Sequence, residues 1–162
     1  MDPNWTFDGL PLHPLLVHAT VILVPLTALA LLLAVFWPAA RRRLGFVVPL
    51  AGLLMVVLVP ITQAAGLALK EVVGPIPAVL THQGFGLMLL PWTIAVAVVS
   101  VGEWVWYRFF NDRMKVSSPG GSRVVQIVIA VAAVIAAAGS LVVVFLTGES
   151  GTRALWGPLF PN

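Results

Sequence analysis

Between Pro14 and Thr147 the chain falls into four long apolar runs, near 14–37, 44–69, 84–107 and 124–147, and the one charge inside them is Glu103. The stretch from Leu15 to Trp37 alone supplies 23 residues. As an α-helix that length extends about 34 Å, enough for a hydrocarbon core of about 30 Å. Backbone polar groups inside lipid need partners within the segment, so the runs are predicted to be helices. The connections "PAARRR", "KEVVGPIPAVLTHQ" and "RFFNDRMKVSSPGGSR" are short, which makes neighbouring helices antiparallel. The expected fold is all-α, an integral membrane up-down-up-down four-helix bundle forming a single domain over residues 1–162.

Composition enters as a check. The chain is 60% hydrophobic and 9% charged, where an ordinary soluble domain has about a quarter of its residues charged. Such a chain cannot cover itself with polar surface, so the lipid bilayer is its first partner. The net charge is +3, but the basic residues sit between apolar segments and not on one polar face, which excludes nucleic acid as a partner. There is no cysteine, so disulfides, thiolate metal sites and thiol nucleophiles are excluded. Asp2 and Asp8 precede the first run and no Lys or Arg does. It therefore lacks the basic n-region of a signal peptide and is expected to be retained as a span.

Orientation follows from the cations. Arg41, Arg42, Arg43, Arg108, Arg113, Lys115 and Arg123 fall in the first and third connections, and only Lys70 and Arg153 on the other side. The positive-inside rule then puts both termini and the second connection outside. Trp37, Trp104, Trp106 and Tyr107 mark the inner interface, and Trp5 and Trp156 the outer one.

Several local features carry expectations. Pro25, Pro60 and Pro91 lie within the first three helices, where each removes a hydrogen bond and favours a bend. Ala132, Ala136 and Ser140 recur every four residues, a small-residue face that lets another backbone approach. Glu71–Gln83 is apolar but broken by Gly74, Pro75 and Pro77, and is expected to rest on headgroups as a loop or fold over the bundle as a lid. The segment "TGESGTRALWG" is expected to be a tail in which Glu149 and Arg153 pair across one turn. No internal repeat stands out.

The histidines are the polar constellation. His13 precedes Pro14, a favoured first helical residue, and is expected near the N-cap at the outer surface. His18 lies about 6–7 Å deeper. His82 is expected at the outer entrance of the third helix, with Thr81 as its cap. Thr62 and Gln63 on the second helix and Thr147 and Glu149 on the fourth complete a polar layer to which every helix contributes. The inner half offers little besides Glu103, expected to pair with interfacial arginines.

Ionisable groups inside a membrane face the bundle interior or water and are functional candidates by default. Imidazoles suit haem iron, copper and zinc, and a histidine can also relay protons. His13 and His18 are five residues apart, about 140° around a helix, whereas ligands on one face are three or four apart. His18 with His82 is therefore the preferred ligand pair, for haem b or a transition metal. His13 is an accessory, Glu149 an alternative metal ligand, and Gln63, Thr62 and Thr147 supporting groups. No HExxH, phosphate loop or Ser–His–Asp pattern is present, so no catalytic residue is assigned.

The element "LHPLLVH" opening a four-span chain resembles the bacterial family catalogued as domain of unknown function 2231. Members begin with a His-Pro-x-x-Val-His element, matched here by His13, Pro14, Val17 and His18. Ala19 and Thr20 stand where the family has Phe-Pro. The family's late histidine has no counterpart, and Glu149 stands near its expected place. The resemblance implies the four-span layout and a bacterial cytoplasmic (inner) membrane location. The family has no established activity, and the cytochrome-type domains beside some relatives point towards a redox role.

Two readings are open. One is a haem- or metal-binding electron-transfer or sensor module with its histidine site in the outer leaflet. The other is a non-catalytic scaffold or accessory subunit, with the small-residue face of the fourth helix meeting another membrane protein or a second copy of the chain. A small-solute pathway is less favoured, because nothing polar continues through the inner half.

Overall fold

The computed structural model describes residues 5–157. A two-residue hairpin opens it, with β1 (Thr6–Phe7) antiparallel to β2 (Leu10–Pro11). Asp8 and Gly9 turn between them with φ of 49° and 77°, the positive values that a tight Asp-Gly hairpin turn demands. Six helices follow: α1 (Leu12–Phe36), α2 (Pro38–Leu44), α3 (Val47–Val73), α4 (Pro77–Val105), α5 (Asn111–Ser117) and α6 (Pro119–Trp156). They make four spans long and apolar enough to cross a membrane: α1, α3, α4 continued through α5, and α6. The all-α membrane bundle is thus the observed architecture, and its single span of structure leaves residues 1–4 and 158–162 outside the described part.

The connections are more helical than the sequence suggests. "PAARRR" is not a loop but α2, started by Pro38 in its first turn and ended at Gly45, φ 46°. The expected outer loop Glu71–Gln83 does not exist as a loop or lid. α3 runs on to Val73, Gly74 turns the chain at φ 92°, and Pro77 already opens α4. Proline is welcome at the first helical position, where its missing N–H costs nothing. Thr81 is accordingly not a cap but an interior residue, its hydroxyl donating to the Pro77 carbonyl at 3.0 Å. After Val105 the helix widens into one π-turn, Trp106–Phe110, where Trp106 stacks on Phe110 with ring centres 6.5 Å apart. The "TGESGTRALW" segment is no tail, because α6 continues to Trp156.

The four spans form a ring in which α1 and α4 each pack on both α3 and α6, and α1 faces α4 across the diagonal. Close approach is set by glycines. A Cβ on Gly52 of α3 would come within 2.9 Å of the Ala97 Cα of α4, and one on Gly139 of α6 within 2.1 Å of the Trp92 ring. Ala136 and Ser140 are buried and Ala132 is partly buried, so the small-residue face packs α6 against its own bundle. That corrects the idea of a partner docking there. The face is already covered.

Two apolar layers fill the interior. One holds Val24, Met55, Val59, Leu89, Val143 and Val144, and the other Leu31, Ala34, Val35, Val48, Val96, Ala133 and Ala136. Buried hydroxyls of Thr27, Thr93, Ser100 and Ser140 lie among these layers, and each donates to a carbonyl three or four residues back in its own helix. They are satisfied locally and create no polar path. At the basic end Arg41 enters the bundle. Its guanidinium donates to the last-turn carbonyls of α1, Ala34 at 2.7 Å and Val35 at 2.6 Å, and its Nε lies 2.9 Å from Glu103 Oε1. The expected pairing of Glu103 with an interfacial arginine is therefore observed.

Candidate functional site

The two histidines that meet are His13 and His82. Helix α1 begins at Leu12, with Pro11 as its N-cap, so His13 is a helical residue facing inward and not a cap at the water line. Its Nδ1 lies 3.0 Å from the Thr62 carbonyl oxygen of α3. A carbonyl only accepts, so Nδ1 carries the proton and donates it. The imidazole rests on Gly66, one turn further along α3, where a Cβ would come within 2.9 Å of the ring.

His82 repeats this arrangement on the other pair of helices. Its Nδ1 lies 3.0 Å from the Thr147 carbonyl oxygen of α6 and 3.3 Å from the Ser150 hydroxyl. The Ser150 hydroxyl itself donates to Thr147 O at 3.0 Å, which leaves its oxygen free to accept from the imidazole. The ring rests on Gly151, where a Cβ would come within 3.0 Å of it. Thr62 and Thr147 also match, each hydroxyl donating to the carbonyl four residues back, Leu58 at 2.9 Å and Val143 at 2.7 Å.

The site is therefore built twice. One helical hairpin, α1 with α3, supplies a histidine and a Thr-x-x-x-Gly cradle; the second, α4 with α6, supplies the same. In an up-down-up-down bundle α1 and α4 run in the same direction, so the halves are related by an approximate two-fold along the bundle. The signal was in the sequence as "TQAAG" (62–66) and "TGESG" (147–151), but two shared letters in five are not a visible repeat. What they share is a backbone carbonyl and a missing side chain, and only the fold makes that meaningful.

Between the rings the geometry is close. Their centroids are 6.0 Å apart with planes at 72°. Neither Nε2 has a hydrogen-bond partner among the described residues. Both rings line a cavity of about 90 Å³, with Thr20, Gln63, Lys70 and Gln83 also on its wall and Val59, Leu89 and Val144 towards its floor. Gln63 is committed to the Gly86 carbonyl at 2.8 Å, and Lys70 donates to Gln83 Oε1 at 3.1 Å, which ties α3 to α4. The Thr20 and Thr62 hydroxyls touch at 3.1 Å. The floor residues belong to the first apolar layer, so the cavity ends in a hydrophobic plug.

The remaining sequence-predicted residues lie elsewhere. His18 is exposed on the outside of α1, its Nδ1 donating to the Pro14 carbonyl of its own helix at 2.6 Å, and it does not line the cavity. The expected His18–His82 pair is thus replaced by His13–His82. The physical reason is the one that separated the two histidines. About 140° apart on a helix, only one can face inward, and the helix starts two residues before Pro14 and gives that place to His13. Glu149 is also exposed, bound to Arg153 Nη2 at 2.7 Å, and faces a groove between α1 and α6 away from the histidines. It is not brought to the imidazoles as a ligand. Among the described residues no three His, Asp or Glu side chains converge.

Comparison with known proteins decides the family. The family model described as "predicted membrane protein (DUF2231)" matches residues 9–158. The chain belongs to the DUF2231 family. No curated protein and no solved structure matches this DUF2231 chain. The matched segment contains both histidines of the pair and both Thr-x-x-x-Gly cradles, so the doubled site lies wholly within the family's region.

Proposed function

We propose that this DUF2231 protein is a membrane-embedded module that binds a small transition-metal ion between His13 and His82 and uses it for sensing or electron transfer. The observation that carries the reading is the doubled cradle. Each ring spends its Nδ1–H on a fixed backbone carbonyl, which in the neutral ring leaves the Nε2 lone pair for something in the cavity. A ligating histidine characteristically donates its other N–H to a carbonyl or carboxylate in this way. Two imidazoles sharing one ion at about 2.0–2.1 Å each put their ring centres roughly 5–6.5 Å apart, and the observed 6.0 Å falls in that range.

The cavity favours an ion over haem b. Its volume of about 90 Å³ is well short of the roughly 300–1,000 Å³ of pockets that enclose drug-sized ligands, and a porphyrin needs more. The family resemblance supports a bacterial cytoplasmic membrane location, and the distribution of Lys and Arg supports an orientation with the histidine end outside, in the outer leaflet.

The test is metal analysis and titration of the protein purified in detergent, with His13→Ala, His82→Ala and His18→Ala beside it. The reading expects one ion per chain, lost in the first two variants and kept in the third. Equal binding in all four proteins, or none in any, would remove it and leave the scaffold reading.

A further inference from the structure

We infer that the ion taken by the His13–His82 site is monovalent and soft, a cuprous ion, in preference to a divalent metal such as zinc. The inference rests on the metal-binding reading above and narrows it.

Donor number comes first. Zinc in structural sites takes four protein ligands, and in catalytic sites three plus water. Magnesium and calcium want six or more oxygens. The cavity offers two imidazoles, and among the described residues no carboxylate or further histidine lines it. Its other polar groups are neutral amides and hydroxyls or the cationic Lys70: Gln63 donates its amide N–H to Gly86, and Lys70 donates to Gln83 Oε1. Copper(I), a filled-shell ion, is content with two nitrogen donors held at a wide angle. Two ring centres 6.0 Å apart lie within the range that two imidazoles sharing one ion span.

Charge comes second. Both ligands are neutral, and the one charged side chain on the cavity wall among the described residues is the cationic Lys70. A dication placed there meets a positive neighbour and no compensating carboxylate, in a cavity whose floor is Val59, Leu89 and Val144. The cost of an unpaired charge in an apolar site grows steeply with its valence. A monocation suffers least.

The experiment is competition titration of the detergent-purified full chain under anaerobic, reducing conditions. Copper(I) is presented from a chromophoric cuprous chelator and zinc(II) from a zinc indicator, with silver(I) as a redox-inert stand-in for copper(I). The expected result is one copper(I) or silver(I) per chain, bound at least about a hundredfold more tightly than zinc(II). X-ray absorption at the copper edge should show two nitrogen neighbours. Binding should be lost in His13→Asn and His82→Asn, with helix content and melting temperature unchanged to certify the fold. In a second variant, Lys70→Glu, the copper-to-zinc preference should fall by about tenfold or more as a carboxylate arrives at the cavity wall. Zinc(II) binding as tightly as copper(I), or a four-coordinate copper spectrum, overturns the inference while leaving His13 and His82 as a metal site. No metal of any kind at these residues overturns both.

Discussion

The His13 and His82 rings meet edge to face across the diagonal of the bundle, 6.0 Å between centroids. Each is held by the membrane span that follows its own in the chain. His13 is fixed by Thr62 and Gly66 of α3, His82 by Thr147 and Gly151 of α6. The glycines make this possible, because the imidazoles occupy the space where their side chains would be. Gly66→Ala and Gly151→Ala should therefore separate binding from stability. An alanine inside a helix gains up to about 1 kcal/mol over glycine, which offsets local crowding. The ring must shift by some tenths of an ångström, and displacing an orienting contact of a ligand costs about 10–100-fold in metal affinity. Melting temperatures near wild type with affinities at least tenfold weaker are expected. Unchanged affinity in both variants would show that the cradles do not position the rings.

His18 supplies the contrasting case. It is exposed, and its Nδ1 is bonded to the Pro14 carbonyl of its own helix. His18→Ala is expected to change both metal affinity and stability by less than about 0.5 kcal/mol, as surface substitutions away from special features do. A loss of metal in this variant comparable to that of His13→Ala would move the site to the outside of α1.

The contrast between these two histidines shows where the sequence was legible and where it was not. Hydropathy and loop charge identified four spans, and the polar layer at one end, because length in lipid and the cost of a buried polar group leave few alternatives. The five-residue separation of His13 and His18 correctly divided them between faces. Which face turned inward depended on the first turn of α1, set by Pro11 and the hairpin before it, and helix boundaries are the least readable feature of a sequence. Gly74, Pro75 and Pro77 read as a loop by composition, yet proline at a helix start and glycine at a helix end are also what a tight helix-to-helix turn uses. The partners Thr62 and Thr147 act through carbonyls, and Gly66 and Gly151 through absent side chains; neither leaves a chemical signature in a sequence.

At the basic end, Arg41 and Glu103 form the second tie. Glu103 is 2% exposed and the Arg41 side chain 19%. The Arg41 Nε–H is directed to the Ala34 carbonyl, so its contact with Glu103 is ionic, and the guanidinium also lies 3.3 Å above the centre of the Tyr107 ring. Removing one partner of a buried pair leaves the other charge stranded, at a cost of about 3–5 kcal/mol. Arg41→Ala should lower the melting temperature in detergent clearly, whereas Arg42→Ala should shift stability by less than about 0.5 kcal/mol. Equal melting temperatures for the two variants would mean that the pair contributes nothing.

Gly139 tests the packing of α6 on α4. A Cβ there would sit 2.1 Å from the Trp92 ring, too close for any small adjustment, so the ring or the helix must move. Gly139→Val is expected to destabilise by about 1–3 kcal/mol, the usual cost of overpacking. The same substitution in a Trp92→Ala background should recover part of that loss, because the clash partner is gone. A double-mutant cycle with no coupling between the two positions would place the close approach elsewhere.

The orientation of the bundle is the last expectation, and the absence of cysteine makes it simple to measure. Single cysteines report the side on which they lie without a background to remove. Asp8, in the hairpin turn before α1, and Ser118, between α5 and α6, lie at opposite ends of the bundle and are exposed. The excess of Lys and Arg around Ser118 should hold that end in the cytoplasm, since Arg108, Arg113, Lys115 and Arg123 all flank it. In intact bacterial cells, Asp8→Cys should therefore react with a membrane-impermeant maleimide after the outer membrane is made permeable. Ser118→Cys should react only once the inner membrane is opened. The reverse pattern would put the histidine cavity on the cytoplasmic side, where the ions and reductants reaching it are different.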